Sequence, residues 1–309
     1  MVKEELVTAI ITTVNRDTEL IRAIESIERQ TYKEIEIVVV IDGVNNRIKK
    51  MLQNYKTNCI LPLECFETIE KKGGNYARNF GIDQAKGKYI ALLDDDDEWL
   101  PEKIEQQLNL CRSFQNKSII FCSVINKMKS TEVVLPRKNF DNSNGNIVDY
   151  LFSYRYGLKS GFIQTSTLFG SKNIFEEVHF DNELVKHQDW DWVIQASNKG
   201  IPFKHIKEPL VIYHNEEQVN RVGRSGTYKF SMEWIEKNCN KIKKKYYYLF
   251  LYTVIQLAIS SDNDLGYEEK KTELTNIRNK VPYSEKLSIT YLYYFIKTNR
   301  NLKKARTRI

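Results

Sequence analysis

Leu92-Leu93-Asp94-Asp95-Asp96-Asp97-Glu98-Trp99 joins an apolar run that begins at Tyr89 to four adjacent carboxylates. Tyr89 to Leu93 reads as a short buried strand, so folding gathers the aspartates at a strand end, where like charges repel unless a cation compensates. A bound divalent metal is the economical explanation. Alternation along extended chain lets Asp94 and Asp96 share one side while Asp95 points away. The plain alternative is a solvated acidic turn capping the next helix, a role that Asp97 or Glu98 can fill. The strand before the run and the Trp-Leu-Pro after it shift the balance toward the metal.

Upstream, Val7 to Val14 is rich in β-formers, Asn15-Arg16-Asp17 reads as a turn and helix cap, and Leu20, Ile21, Ile24 and Ile27 repeat at helical spacing. A run that is apolar at all but Glu36, Ile35 to Ile41, is followed by a polar helical segment from Asn45 to Tyr55 and a strand from Cys59 to Phe66. Gly73 and Gly74 open a helix that Gly87 closes. Downstream, Pro101 to Phe114 reads as a helix with Pro in its first turn and Ile119 to Ile125 as a strand. Lys127 to Asn146 reads as a long polar loop. Phe162 to Phe169, a helix from Gln188 to Asn198 stopped by Gly200, and a strand from Leu210 to Tyr213 complete the body. Continuous apolar strands alternating with helices predict an α/β fold whose parallel sheet is covered on both faces, with ligands at the carboxyl ends of the strands. Asn15, Asp42 and Asp94 to Asp97 fall there.

Charge divides the chain. Up to Tyr228 there are 30 basic and 32 acidic residues, whereas Lys229 to Ile309 carries 17 against 8. This excludes a globally basic body that wraps nucleic acid and marks the C-terminal end as a separate device with an anionic partner. The texture changes near Gly226, giving an expected domain of residues 1–226 and a basic, aromatic-rich helical region of residues 227–309. With 309 residues, 41% of them hydrophobic, disorder is excluded. Cys59, Cys65, Cys111, Cys122 and Cys239 show no zinc or disulfide spacing and read as reduced thiols of a cytoplasmic protein. Met1 to Leu6 holds no signal-like apolar run. Tyr246 to Ser261 falls short of the about 20 apolar residues of a spanning helix and reads as buried or interfacial.

Several segments together resemble family 2 glycosyltransferases with the A-type nucleotide-binding fold. They are Ile10-Ile-Thr-Thr-Val-Asn-Arg16, Asp42-Gly43, Gly74-Asn-Tyr-Ala-Arg-Asn79, the Asp-x-Asp of Asp94 to Asp96, Gln164-Thr-Ser-Thr167 and Gln188-Asp-Trp-Asp-Trp192, and the resemblance spans about residues 5 to 226. Two positions depart from the family pattern: Ile41 stands where a first Asp is common, and Gln188 where Glu is. The resemblance implies a Rossmann-like, mostly parallel central sheet and inverting transfer of a sugar from a nucleotide diphosphate, a UDP-sugar, to a hydroxyl of a glycan or lipid-linked saccharide. It places Thr13, Asn15, Arg16 and Asp42 at the base, Asp94 near the ribose and Asp95 among the nucleotide-binding residues, with Arg78 a salt-bridge or phosphate residue. Arg221 and Arg224, in the basic loop Arg-Val-Gly-Arg-Ser-Gly226, read either as a lid over the diphosphate with Gly223 and Gly226 as hinges or as a plain polar linker. A divalent metal, Mn2+ or Mg2+, would rest on Asp96 and His214, and Asp189 would be the base, with Asp191 the better helix cap.

A nucleotidyltransferase could use the same carboxylates, but Thr12 to Asp17 lacks the Gly-rich phosphate loop that chemistry prefers. A non-catalytic membrane or nucleic-acid adaptor is the other rival, against which intact Asp94, Asp96 and Asp189 argue. In the C-terminal region, Lys241 and Lys243 to Lys245 precede the aromatic stretch Tyr246 to Tyr252, and Lys297 to Arg308 holds six basic residues and no acidic one. That pattern suits peripheral attachment to an anionic membrane face or packing of the helices as an oligomer contact.

Overall fold

Ile35–Ile41 (β2) is buried at every position and Val7–Thr13 (β1) at all but one, as strands covered on both faces require. In the computed structural model, which describes residues 5–141, 145–155, 157–215 and 228–306, these strands pair in parallel, from Val7 opposite Ile35 to Thr13 opposite Ile41. Leu63–Glu67 (β3) adds to β2, and Tyr89–Asp94 (β4) lies on the other side of β1, with Thr12 opposite Asp94. Helices Thr18–Glu28 (α1), Asn46–Lys56 (α2) and Gly74–Gln84 (α3) supply the crossovers. α1 buries Leu20, Ile24 and Ile27 of its helical repeat together with Ala23, while Ile21 stays half buried. The chain winds outward to β3 and then returns across β1, so β1 and β4 flank the point where strand order reverses.

The remaining elements are Glu98–Trp99 (β5), Lys103–Ser113 (α4), Ile119–Lys127 (β6), Glu132–Leu135 (β7), Ile147–Leu151 (α5), a small hairpin of Tyr154–Arg155 (β8) and Leu158–Lys159 (β9), Phe169–Ser171 (β10), Lys172–Glu177 (α6), Gln188–Asn198 (α7) and Phe203–His214 (β11). The main sheet runs β3-β2-β1-β4-β10-β6-β11-β5, with β7 on β6. Its first half is parallel. Its second half is mixed, because β10 runs antiparallel between β4 and β6 and β5 runs antiparallel beside β11.

Four expectations needed correction. The strand expected from Cys59 to Phe66 begins only at Leu63, after Pro62, which has no N–H to offer a ladder. The polar stretch from Lys127 to Asn146 contains β7, whose hydrogen bonds to β6 hold a strand that is only half buried. Gln164-Thr-Ser-Thr167 is a 3-10 turn, Thr165–Thr167, and the strand begins after it at Phe169. β11 is longer than Leu210 to Tyr213, with a register shift around Pro209, which lacks the N–H a continuous ladder needs.

The chain divides into two compact units. One comprises Met1–Ile147, Phe162–Leu184 and Gln188–Val219; the other comprises Val148–Gly161, Val185–His187 and Asn220–Ile309. The expected boundary near Gly226, like Arg221 and Arg224, lies outside the described residues. The second unit is helical: Tyr228–Asn238 (α8), Lys244–Phe250 (α9), a π-turn over Leu251–Ile255, Gln256–Ser261 (α10), Tyr267–Lys280 (α11), Tyr283–Lys286 (α12) and Ile289–Arg306 (α13). The uncharged stretch from Tyr246 forms its core, with Phe250, Leu251, Ile255 and Ile259 fully buried. Trp234 packs on Phe250 at 5.4 Å and Phe152 stacks on Tyr246 at 5.6 Å. Among the described residues no helix is long and apolar enough to cross a membrane.

Candidate active site at the switch point of the sheet

The acidic turn follows β4 directly, and each of its carboxylates has a different environment. Asp94 accepts from Arg78 Nη2 at 2.8 Å and from Gln164 Nε2 at 2.9 Å. Asp95 turns inward, as strand alternation predicts, and accepts from Thr13 Oγ1 at 2.6 Å and Arg16 Nη1 at 2.7 Å. Asp96 stays partly open, with Oδ2 2.8 Å from Arg16 Nη1. Asp97 is fully buried and accepts from Gln164 Nε2, Ser166 Oγ and the backbone N–H of His214. Burial pushes Asp95 up to about 6 against the pull of Arg16, and it raises Asp97 well above the carboxylate range, with Asp96 and Asp94 adding to the rise. The cations that offset the repulsion within the turn include three arginines of the protein itself: Arg16, Arg78 and Arg22, whose Nη2 donates to the Asp96 carbonyl at 2.8 Å.

Arg78 is buried on α3, and its fork reaches three partners. Besides Asp94 it donates to Asn75 Oδ1 at 3.1 Å and to Gln188 Oε1 at 2.9 Å, which ties the start of α7 to the end of β4. Gly74 leaves the room it needs, since a Cβ there would stand 3.3 Å from Nη1. Gln188, where Glu is common, thus serves as a neutral acceptor for a guanidinium already paired with Asp94. Asp189 follows in the first turn of α7, half buried, and Asp191 accepts from Gln195 one turn on at 2.5 Å.

The expected base pocket lies beside this cluster. Asp42, at the end of β2, is buried and accepts from the backbone N–H groups of Lys72 at 2.7 Å and Gly73 at 2.9 Å, so it shapes the loop that leads into α3. Gly73 has φ +95°, a conformation that side chains avoid. The Thr13 hydroxyl is committed to Asp95, while its carbonyl accepts from Asp42 N. Asn15 is exposed, and its carbonyl accepts from Arg47, which also pairs with Asp17. His214 Nε2 lies 2.8 Å from Glu98 Oε1.

Among the described residues no three His, Cys, Asp or Glu side chains come together as a metal cage. A hard divalent cation bound to a diphosphate needs only one or two protein carboxylates and otherwise keeps oxygen ligands from phosphate and water. Asp96, partly open at the mouth of the turn, fits that requirement.

Sequence reasoning gives no role to Arg22 and marks Gln164 and Ser166 only as part of a strand-like family segment, yet at the 3-10 turn both reach Asp97. Gln164 also holds Asp94 by its side chain, and Ser166 Oγ accepts from the Asp94 backbone N–H at 3.0 Å. The available signal was the run of four hydroxyl- and amide-bearing residues in an otherwise apolar segment.

A half-parallel, half-mixed sheet with an acidic turn at its switch point defines a transferase of the A-type glycosyltransferase fold. The chain belongs to glycosyl transferase family 2, whose family model matches residues 8–178. It is 30% identical over 239 residues to the amylovoran biosynthesis glycosyltransferase AmsB of Erwinia amylovora, covering 74% of this chain and 75% of AmsB. It is 36% identical over 105 residues to WfaP of Escherichia coli, described as a UDP-Glc:alpha-D-GlcNAc-diphosphoundecaprenol beta-1,3-glucosyltransferase, covering 34% of this chain and 41% of WfaP. In fold it is similar to the mannosyltransferase PcManGT of Pyrobaculum calidifontis, solved with GDP-Man and Mn2+, with TM-score 0.61, 14% identity, and coverage of 97% of this chain and 88% of that one. It is also similar to residues 1–349 of S. aureus TarS with UDP-GlcNAc, with TM-score 0.57, 14% identity, and coverage of 96% and 81%. It spans 49% of a longer TarS chain. The protein is therefore a glycosyltransferase, and the nucleotidyltransferase and adaptor readings are set aside.

Proposed function

We propose that this glycosyltransferase moves a hexose or N-acetylhexosamine from a UDP-sugar to a hydroxyl of a growing surface polysaccharide, with inversion. The observation that carries the reading is the acidic turn at the switch point, with Asp96 partly open and the half-buried Asp189 linked to it through Gln188, Arg78 and Asp94. The roles of AmsB in amylovoran biosynthesis and of WfaP on a diphosphoundecaprenol-linked GlcNAc support a polysaccharide product and a lipid-carried saccharide acceptor.

In the transfer, the acceptor oxygen forms a bond to the anomeric carbon as the bond from that carbon to the diphosphate oxygen breaks, and the electron pair leaves with UDP. Asp189 takes the hydroxyl proton as the new bond forms, since the hydroxyl is a poor nucleophile without a base. Attack opposite the leaving group inverts the anomeric centre. Asp96 would hold a divalent cation, whose role is to stabilise charge developing on the diphosphate. Arg78 fixes Asp94 toward the ribose, and the loop held by Asp42 borders the base. Thr13, Asn15 and Arg16 complete that border, and His214, whose backbone N–H donates to Asp97, would contribute to the cation site. Arg221 and Arg224 are assigned to the diphosphate on sequence alone.

The test is UDP release from a panel of UDP-sugars in the presence of Mn2+, with a lipid-linked saccharide as acceptor. Acceptor-dependent release of UDP is the expected result. Acceptor-dependent GDP release from GDP-sugars, with no UDP release from UDP-sugars, would move the donor assignment.

A further inference from the structure

α13 buries one face through Tyr291, Tyr294 and Thr298 and leaves a second apolar face uncovered. Ile289, Leu292, Tyr293 and Ile296 follow the i, i+3, i+4, i+7 spacing of a single helical stripe, and each is between 41% and 62% exposed. Tyr283 and Leu287, just before the helix, are also exposed. Scattered exposed apolar residues are ordinary, but a contiguous stripe of large ones marks an interaction surface. Further along, the same side of the helix becomes basic. Arg300, Lys303 and Lys304 continue the stripe over the next two turns, and all three are exposed.

From Tyr283 to Arg306 there are six basic residues and one acidic residue, Glu285. That imbalance selects the occupant. A second copy meeting this face would bring two basic ends together with one carboxylate each to offset them, whereas a surface of anionic headgroups over an apolar interior complements both halves. No helix of the described residues is long and apolar enough to cross a membrane, so the contact would lie in the interface plane. We propose that the outer face of α13 docks on an anionic lipid bilayer, with Ile289, Leu292, Tyr293 and Ile296 entering the headgroup–acyl boundary and Arg300, Lys303 and Lys304 meeting the phosphates. The inference uses the second unit alone and does not depend on the donor or acceptor assignment.

The test is co-sedimentation of the full chain with phosphatidylcholine vesicles with and without phosphatidylglycerol. Binding is expected only with the anionic lipid and should be largely lost at ~0.5 M salt, where screening is short-ranged. A variant combining Ile289→Ser, Leu292→Ser and Ile296→Ser should bind at least about tenfold more weakly. These side chains are exposed, so the variant should keep its thermal midpoint. Arg300→Glu with Lys303→Glu should abolish the preference for anionic lipid. Equal binding to both vesicle types, or no binding by a folded parent protein, overturns the proposal. So does concentration-dependent dimerisation abolished by the triple serine variant, which would make the stripe a contact between copies.

Discussion

Asp96, the proposed cation ligand, and Asp189, the proposed base, should be separated by substitution. Asp96→Ala removes the proposed cation ligand while releasing repulsion within the acidic turn, so the fold should persist and Mn2+-supported UDP affinity should collapse. Calorimetry with UDP in the presence and absence of Mn2+ measures this, and unchanged affinity would remove Asp96 from the cation site. Asp189→Asn keeps size and hydrogen bonding but cannot take a proton. Donor affinity should be retained and transfer should fall by roughly 10² to 10⁴-fold. If turnover stays near that of the parent protein, Asp189 is a helix-end residue and the base must be sought elsewhere, with Asp191 next in line. The sequence made these carboxylates visible but not the groups that balance them. Arg16 and Asp95 are 79 residues apart, and Arg78 and Gln188 are 110 apart, so their pairing exists only once β1, β4, α3 and α7 converge. For that reason the acidic run pointed to a metal without showing that arginines already share the compensation.

Among the elements, legibility followed burial. β2 matches its expected run residue for residue, and β1 and β4 differ from theirs by a single residue, because a strand covered on both faces carries mostly apolar side chains. The one charged residue inside β2, Glu36, is buried only because it accepts from Thr8 Oγ1 and from the backbone N–H groups of Lys86 and Gly87. β7, Glu132-Val-Val-Leu135, escaped notice because it is only four residues long inside a polar stretch and is at most half buried, and the 3-10 turn at Thr165 looked extended because polar side chains around it, those of Gln164 and Ser166, are buried on the acidic turn. The loop between β3 and α3 offers a test at this scale. Gly73 has φ +95° and ψ 160°, and a Cβ there meets nothing within 4 Å, so Gly73→Ala suffers from backbone conformation alone. It should cost about 1–3 kcal/mol and, by moving the N–H groups that Asp42 holds, weaken UDP binding as well. Gly200, with φ +80° and equally open space, closes α7. Gly200→Ala should lower stability with UDP affinity intact. Urea denaturation read beside UDP titration separates the two, and equal loss of affinity in both variants would show that the Asp42 loop has no special part in the donor site.

For the molecule as a whole, acid sensitivity should come from one buried histidine in each unit. In the first, His205 stacks on Phe121 at 4.6 Å, Phe140 N–H donates to its Nδ1, and Nε2 faces Ser123 Oγ at 3.1 Å. Because Nδ1 is an acceptor here, a second proton has no place without breaking that bond. Burial, reinforced by Lys207, lowers its pKa to about 4. In the second unit His187 lies against Trp234 at 4.7 Å and Ser231 Oγ at 2.8 Å, and burial, with Lys186 and Lys159 adding to it, takes it down to about 3. Unfolded, both regain a pKa of about 6.5. Above pH ~6.5 neither state binds the proton, and stability is independent of these groups. Below that, the unfolded chain takes up protons that the folded units refuse, so stability falls as pH drops toward 4 for His205 and toward 3 for His187. For the more deeply buried His187 the slope is up to about 1.4 kcal/mol per pH unit. His187 also has φ +60°, which Asn tolerates better than most residues. His187→Asn should therefore flatten the acid limb of the second unit's melting curve, followed by calorimetry across pH, while leaving the limb set by His205 in place. An acid limb of unchanged slope in His187→Asn would assign the second unit's acid sensitivity to its carboxylates instead.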